Sequence, residues 1–170
     1  DFLRKAEKRL AKAQRKLSQK QKESHNREKQ RLRVAILHEK VANQRRDFLH
    51  KKARYLADRY DVIGIEDISV KAMAKRKKGG KFSFGKSVAD NGWNMFTNML
   101  EYKLAWQGKK LIKIDKWYPS SQLCHVCGYQ NHETKDLSVR EWDCPKCGSH
   151  HNRDKNAAIN IREEARRISA

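Results

Sequence analysis

Residues 123–161 read LCHVCGYQNHETKDLSVREWDCPKCGSHHNRDKNAAINI. Cys124, Cys127, Cys144 and Cys147 form two C-x2-C pairs with 16 residues between them. Thiolates at i and i+3 around a tight turn can converge on one ion, and two such knuckles complete a tetrahedral zinc site. Gly128 and Gly148 follow the pairs, relieving the crowded backbone beside the metal. The spacing predicts a small ribbon around structural Zn2+, ahead of a redox pair or an iron–sulfur cluster. Four thiolates close the coordination shell, so this metal is expected to stabilise the ribbon and not to catalyse. His125, His132, His150 and His151 are not needed as ligands and are expected at the surface.

Just past the second pair, DKNAAINIREEARRI is a helix-forming run. Asp154 there has two readings. With Asn152 as N-cap it is a first-turn acid opposing the helix dipole, worth under about 1 kcal/mol. Alternatively it is a ligand for a catalytic metal. Upstream, YDVIGIEDISV holds Val62, Ile63 and Ile65, whose β-branching predicts a buried strand ending at Glu66. Glu66 and Asp67 taken alone are ordinary turn or cap acids.

Working further outward, Trp93, Phe96, Leu100 and Leu104 mark a helix ending near Gly108, and KKLIKID a second strand. Strand, helix, strand implies a right-handed crossover in one sheet. Between them, AKRKKGGKFSFGKS (74–87) carries Lys75, Arg76, Lys77, Lys78 and Lys81 among Phe82 and Phe84, the composition of a loop able to touch phosphates and stack on bases, or of a solvated surface loop. At the N-terminus, Leu3, Ala6, Leu10, Ala13 and Leu17 form one helical stripe. Val34, Leu37, Val41, Phe48, Leu49 and Leu56 form a second, running from about Glu28 to Asp58. QKQKESHN lies between, so two long helices folded as a hairpin are expected. A coiled-coil spacer fits the same pattern.

The 170 residues hold 40 Lys+Arg against 20 Asp+Glu, a formal charge of +20. Residues 1–60 carry 20 basic and 7 acidic side chains, leaving 20 and 13 for the rest, so the helical arm is the more basic part. A polyanionic partner follows, and an ordinary small-molecule enzyme is a poor fit. No apolar run approaches the roughly 18 residues of a membrane span, and the first residues lack a signal peptide's apolar core, so the expectation is an intracellular chain with no membrane partner. It starts without Met inside a helical pattern, as a fragment of something longer would.

VIGIEDISV, WYPSSQLCHVCG, the second cysteine pair and RDKNAAINI, in this order and behind the LSQKQKESHNREKQRLRVAILHEKVANQRRDFLHK helices, closely resemble the TnpB family of transposon-encoded proteins, known from insertion sequences as OrfB-type transposases. The resemblance covers essentially the whole chain, and the family is similar to type V CRISPR effectors. It implies an α/β fold: part of an RNase H-like (RuvC) nuclease domain with a long basic helical hairpin (1–60), a strand–helix–strand core (61–118), an inserted four-cysteine zinc ribbon (119–150) and a C-terminal helix (151–170). It implies RNA-guided DNA cleavage, with guide RNA and DNA as partners, in a bacterial or archaeal cytoplasm at the nucleoid. Matched position by position, Glu66 falls on the family's metal-binding glutamate and Asp154 on its last metal-binding aspartate, both for catalytic Mg2+.

Two departures stand out. Asn152 replaces a common aspartate, a change expected to alter only a helix cap or an outer hydrogen bond. The family's first catalytic aspartate lies on a strand upstream of the paired helices, and Asp1 matches no such motif. The expectation is a chain holding two of three carboxylates and inactive alone. The alternative is a non-catalytic nucleic-acid-binding or regulatory remnant that keeps the basic helices and the ribbon.

Overall fold

In the computed structural model, which describes residues 2–69 and 92–169 with side chains from residue 4 onward, the N-terminal stripe forms helix α1, Phe2–Ser18. Its Ala6, Leu10 and Ala13 bury against Val34 and Val41 of α2, His25–Arg59, with Leu17 and Leu37 at the margin. The hairpin expected from the two stripes is therefore formed. Its turn has identifiable causes. Ser24 caps α2 by accepting from the Arg27 N–H at 3.2 Å. The Arg27 guanidinium donates to the carbonyls of Leu17 and Lys20, satisfying orphan acceptors where α1 ends.

At 35 residues α2 is roughly 50 Å long and serves two cores in turn. Its second half places Leu49, Ala53 and Ala57 against Met99, Leu100 and Leu104 of α3, Trp93–Ala105. Ala53 and Ala57 are fully buried, small side chains that let the two helices approach closely. Ile63 and Leu111 complete this core from the strands.

Strand β1, Val62–Glu66, pairs in parallel with β2, Lys110–Ile114, with Ile63 opposite Leu111 and Glu66 opposite Ile114. With α3 between them they make the expected strand–helix–strand unit. The expectation of a buried β1 is only half met: Val62 is exposed and the remaining positions are half-buried. Among the described residues the sheet has two strands, so one edge of β1 stays unpaired.

The opposite face of the sheet is covered by the last helix, α4, Arg153–Ser169. Gly64 makes that contact possible, since a Cβ there would lie 2.7 Å from Ala165 Cβ and 3.2 Å from the Ile161 carbonyl oxygen. Both obstacles belong to a packed helix and cannot swing aside. Gly64→Ala is expected to push α4 off the sheet at a cost of about 1–3 kcal/mol. A thermal melt checks this; an unchanged Tm would show that the helix yields without penalty.

Candidate functional site

The cysteine ribbon is built from two knuckles with the same backbone wiring. Cys124 N–H donates to the Tyr129 carbonyl and Gly128 N–H to the Cys124 carbonyl, each at 2.8 Å. In the second knuckle Cys144 N–H donates to Ser149 at 2.9 Å and Gly148 N–H to Cys144 at 2.8 Å. Each turn closes through a left-handed glycine, with φ of 73° at Gly128 and 72° at Gly148, a backbone that side chains beyond glycine rarely adopt. A bridge between Leu123 and Gln130 braces the first knuckle. Strands β3, Glu141–Asp143, and β4, His150–Asn152, brace the second.

The four sulfurs lie within 4.8 Å of one another. Cys124 and Cys147 Sγ are 3.7 Å apart, and Cys127 and Cys144 Sγ 3.6 Å. A tetrahedron with metal–sulfur bonds of about 2.3 Å has edges of about 3.8 Å, so the set fits one metal ion. Left to themselves the thiols do not all ionise. The Ser149 hydroxyl and then its backbone N–H pull Cys147 down to about 6. At Cys127 the Tyr129 N–H pulls down, but burial and the three neighbouring sulfurs outweigh it and push the thiol up to about 12. Only a bound cation would hold four thiolates together.

One expectation is corrected here. His151 is not a surface residue: it is 2% exposed, with Nε2 3.1 Å from Cys124 Sγ and its ring 4.6 Å from that of Trp142. The cause is strand alternation, which turns His151 inward opposite Trp142 while His150 faces out. Burial lowers the His151 pKa, which favours the neutral ring beside the sulfur. His125, His132 and His150 are exposed as expected.

Glu66 closes β1, and strand alternation puts its side chain on the same face as Gly64, the face that α4 covers. Its Oε1 accepts from the Ser120 hydroxyl. Ser120 is buried, and its carbonyl accepts from Asn160 Nδ2 on α4 at 2.8 Å. Asn160 also donates to the Leu123 carbonyl at 2.7 Å, and Asn156, one turn earlier, donates to the same carbonyl at 2.6 Å. Asn156 Oδ1 in return accepts from His125 N–H at 3.1 Å. Two buried asparagines thus fasten the first knuckle to α4, and through Ser120 to Glu66. Sequence reading missed all three; their signal was the N-x3-N spacing inside RDKNAAINI, which puts two amides on one helix face.

These contacts also fix the direction of α4. Ala165 and Ile161 lie at Gly64 while Asn160 reaches Ser120 beside Glu66, so the amino end of α4 runs past the carboxyl end of β1. Asp154 sits in its first turn, seven residues before Ile161 and hence on the sheet-facing side. Asn152 is the N-cap, accepting from Lys155 N–H at 3.2 Å. The Asp154 side chain is 80% exposed, with Arg140 4.0 Å away. Among the described residues, the cysteines are the only group of three or more His, Cys, Asp or Glu side chains placed to share a metal, and no such group includes Glu66 or Asp154. Lys75, Arg76, Lys77, Lys78 and Lys81 lie outside the described residues. No described helix is long and apolar enough to cross a membrane.

Residues 93–161 match the family described as "Cas12f1-like, TNB domain", and residues 1–77 the OrfB_IS605 family described as "Probable transposase". The chain is 44% identical over 153 residues to a Streptomyces pristinaespiralis protein named "Putative RNA-guided DNA endonuclease", covering 90% of this chain and 36% of that protein. It is 36% identical over 167 residues to "Putative RNA-guided DNA endonuclease InsQ" of Escherichia coli K12, covering 92% of this chain and 41% of the relative. The chain therefore spans well under half the length of these relatives. Its mixed α/β fold is similar to a chain in a cryo-EM structure of a Cas12f1–sgRNA–target DNA complex, with a TM-score of 0.61 and 23% identity, over 95% of this chain and 41% of the other. The motifs, the four-cysteine ribbon and these relatives place residues 1–77 with the OrfB-type transposases of the TnpB family and residues 93–161 with Cas12f1-like domains.

Proposed function

We propose that this chain is the C-terminal, RuvC-like part of a transposon-encoded, RNA-guided DNA endonuclease. The observation that carries the reading is the end of the sheet: Glu66 is held by Ser120 on the face that α4 covers, and α4 runs so that Asp154 lies beyond the strand's carboxyl end. Their oxygens are hard donors suited to Mg2+, while the four thiolates suit Zn2+. Mg2+ bound there would supply the Lewis acidity that phosphodiester hydrolysis needs. The chain's own share is to orient two carboxylates, and two are not a complete site.

The third carboxylate, on this reading, belongs to a strand upstream of α1 in the whole protein, and the edge of β1 left unpaired among the described residues offers it a place to pair. The chain alone then cuts nothing. Target DNA and a guide RNA are its partners, in keeping with the names of its relatives and a charge of +20. Base pairing to the guide would supply sequence choice, and the protein electrostatics and metal.

The test compares this chain with a version extended upstream through the next strand, each given Mg2+, guide RNA and target DNA. Cutting by the extended version alone is the expected result. Robust cutting by the 170 residues, abolished by Glu66→Ala, would overturn the two-of-three assignment. No cutting by either, with salt-dependent binding intact, would favour the remnant that binds nucleic acid without catalysis.

A further inference from the structure

Two tryptophans are almost fully exposed, Trp117 at 80% and Trp106 at 77%, and they differ in kind. Trp106 follows α3 and precedes β2, and its ring packs on Tyr102 with centroids 4.6 Å apart. Trp117 lies past the opposite end of β2, on the side of the sheet where Glu66 ends β1. Its ring has no aromatic partner among the described residues. Among the described residues Lys116 makes a cation–π contact with it, its Nζ 5.1 Å from the ring centroid.

The loop that carries Trp117 is fixed at both ends. Asp115 Oδ1 accepts from the Trp117 N–H at 2.6 Å, and the Asp115 carbonyl from the Tyr118 N–H at 3.1 Å, so the indole is presented from a closed turn. Three residues on, Ser120 is buried, donates to Glu66 and is held from behind by Asn160. A loop tied by hydrogen bonds to the candidate carboxylate thus displays one large, exposed apolar face.

We propose that Trp117 is a stacking platform for a base of single-stranded DNA entering the Glu66 end of the sheet, with Lys116 meeting the adjoining phosphate. This rests on the reading of that end as facing DNA. The neighbours select the partner: Asp115 and Lys116 are exposed and charged, unlike the apolar rim that a hydrophobic protein segment would need. An indole face beside an ammonium matches a base and its phosphate. Duplex DNA, its bases already stacked on each other, offers no free face.

The test is binding of a fluorescent oligo-dT by the zinc-loaded full chain, without Mg2+, at fixed moderate salt. Trp117→Ala is expected to weaken binding about tenfold, as loss of one base–aromatic stack does. Trp117→Phe should recover most of it, and Trp106→Ala should change nothing. An unchanged Kd for Trp117→Ala, an equal loss on duplex DNA of the same length, or a loss seen only with RNA would each overturn the proposal. Because no cleavage is measured, a failure here leaves the nuclease reading standing, and a protein that never cuts can still show the stack.

Discussion

Stripping the metal from the four cysteines with a strong chelator is expected to unfold residues 119–152 while the α1–α2 hairpin survives. The ribbon's own hydrophobic core consists of Cys124, Trp142 and Cys144 with Cys127 and Val139 beside them, so the cysteines are most of that core. A core of that size cannot offset the ordering entropy of some thirty residues, at about 1–2 kcal/mol each for the backbone. Structural zinc contributes on the order of 10–16 kcal/mol in comparable small sites, enough to decide between folded and unfolded. The hairpin depends on a separate core, Ala6, Leu10, Ala13, Val34 and Val41, that touches no ligand. Cys144→Ser should reproduce the effect. Hydrogen exchange measures it: β3 and β4 amides should lose protection on chelation while α2 amides keep theirs. Ribbon amides that stay protected would show that the fold does not need its metal.

The second large effect concerns the acids. On the proposed nuclease reading, Glu66→Gln and Asp154→Asn in the complete, guide-loaded protein are each expected to lower DNA cleavage on the order of a thousandfold or more, because each would remove a metal-binding charge worth several kcal/mol at the transition state. Stability should barely move. Asp154 is 80% exposed and, among the described residues, Arg140 lies 4.0 Å away, an exposed pair worth little. Gln at position 66 keeps an oxygen for the Ser120 hydroxyl. The double variant should lose little more than either single one, since residues acting as a unit are not additive. Full cleavage by Asp154→Asn would reduce that residue to the helix-start acid its position also explains. Both variants should bind DNA as the parent does, which separates lost chemistry from lost binding.

The ribbon was legible because its chemistry is local: two C-x2-C-G turns need only a few residues each, and the glycines announce the left-handed backbone found at Gly128 and Gly148. The helices were legible from period, and α2 runs from His25 to Arg59 close to the limits that its apolar stripe implied. What escaped was decided by partners distant in sequence. His151 reads as one of several polar histidines until β4 pairs with β3 and turns it toward Cys124. Asn156 and Asn160 lie unremarked in a helix-forming run, and their role shows only where their amides meet Leu123 and Ser120, more than thirty positions away. Gly64 draws no reading from the sequence, and its role shows only where α4 lies across it. The acids were singled out by resemblance. Physical pattern alone left Glu66 as a turn or cap acid and Asp154 between helix-start residue and metal ligand.

Helix α4 is held by three unrelated sets of contacts along one short axis: a capped first turn with Asp154, amides at 156 and 160 on the ribbon, and Ile161 with Ala165 on the strand. The consequence is a constraint on length as well as on identity. One residue inserted between Asn156 and Ile161 would rotate everything before it by about 100° and slide it about 1.5 Å. The ribbon, the strand and the acid could not all keep their places. Restoring the angle would take three or four residues, and would carry Asp154 about 5–6 Å farther from Glu66. The spacing from Asp154 to Ala165 is therefore a ruler, and substitutions along the solvent side of α4, at Arg162, Glu163 and Arg166, are the changes it can absorb.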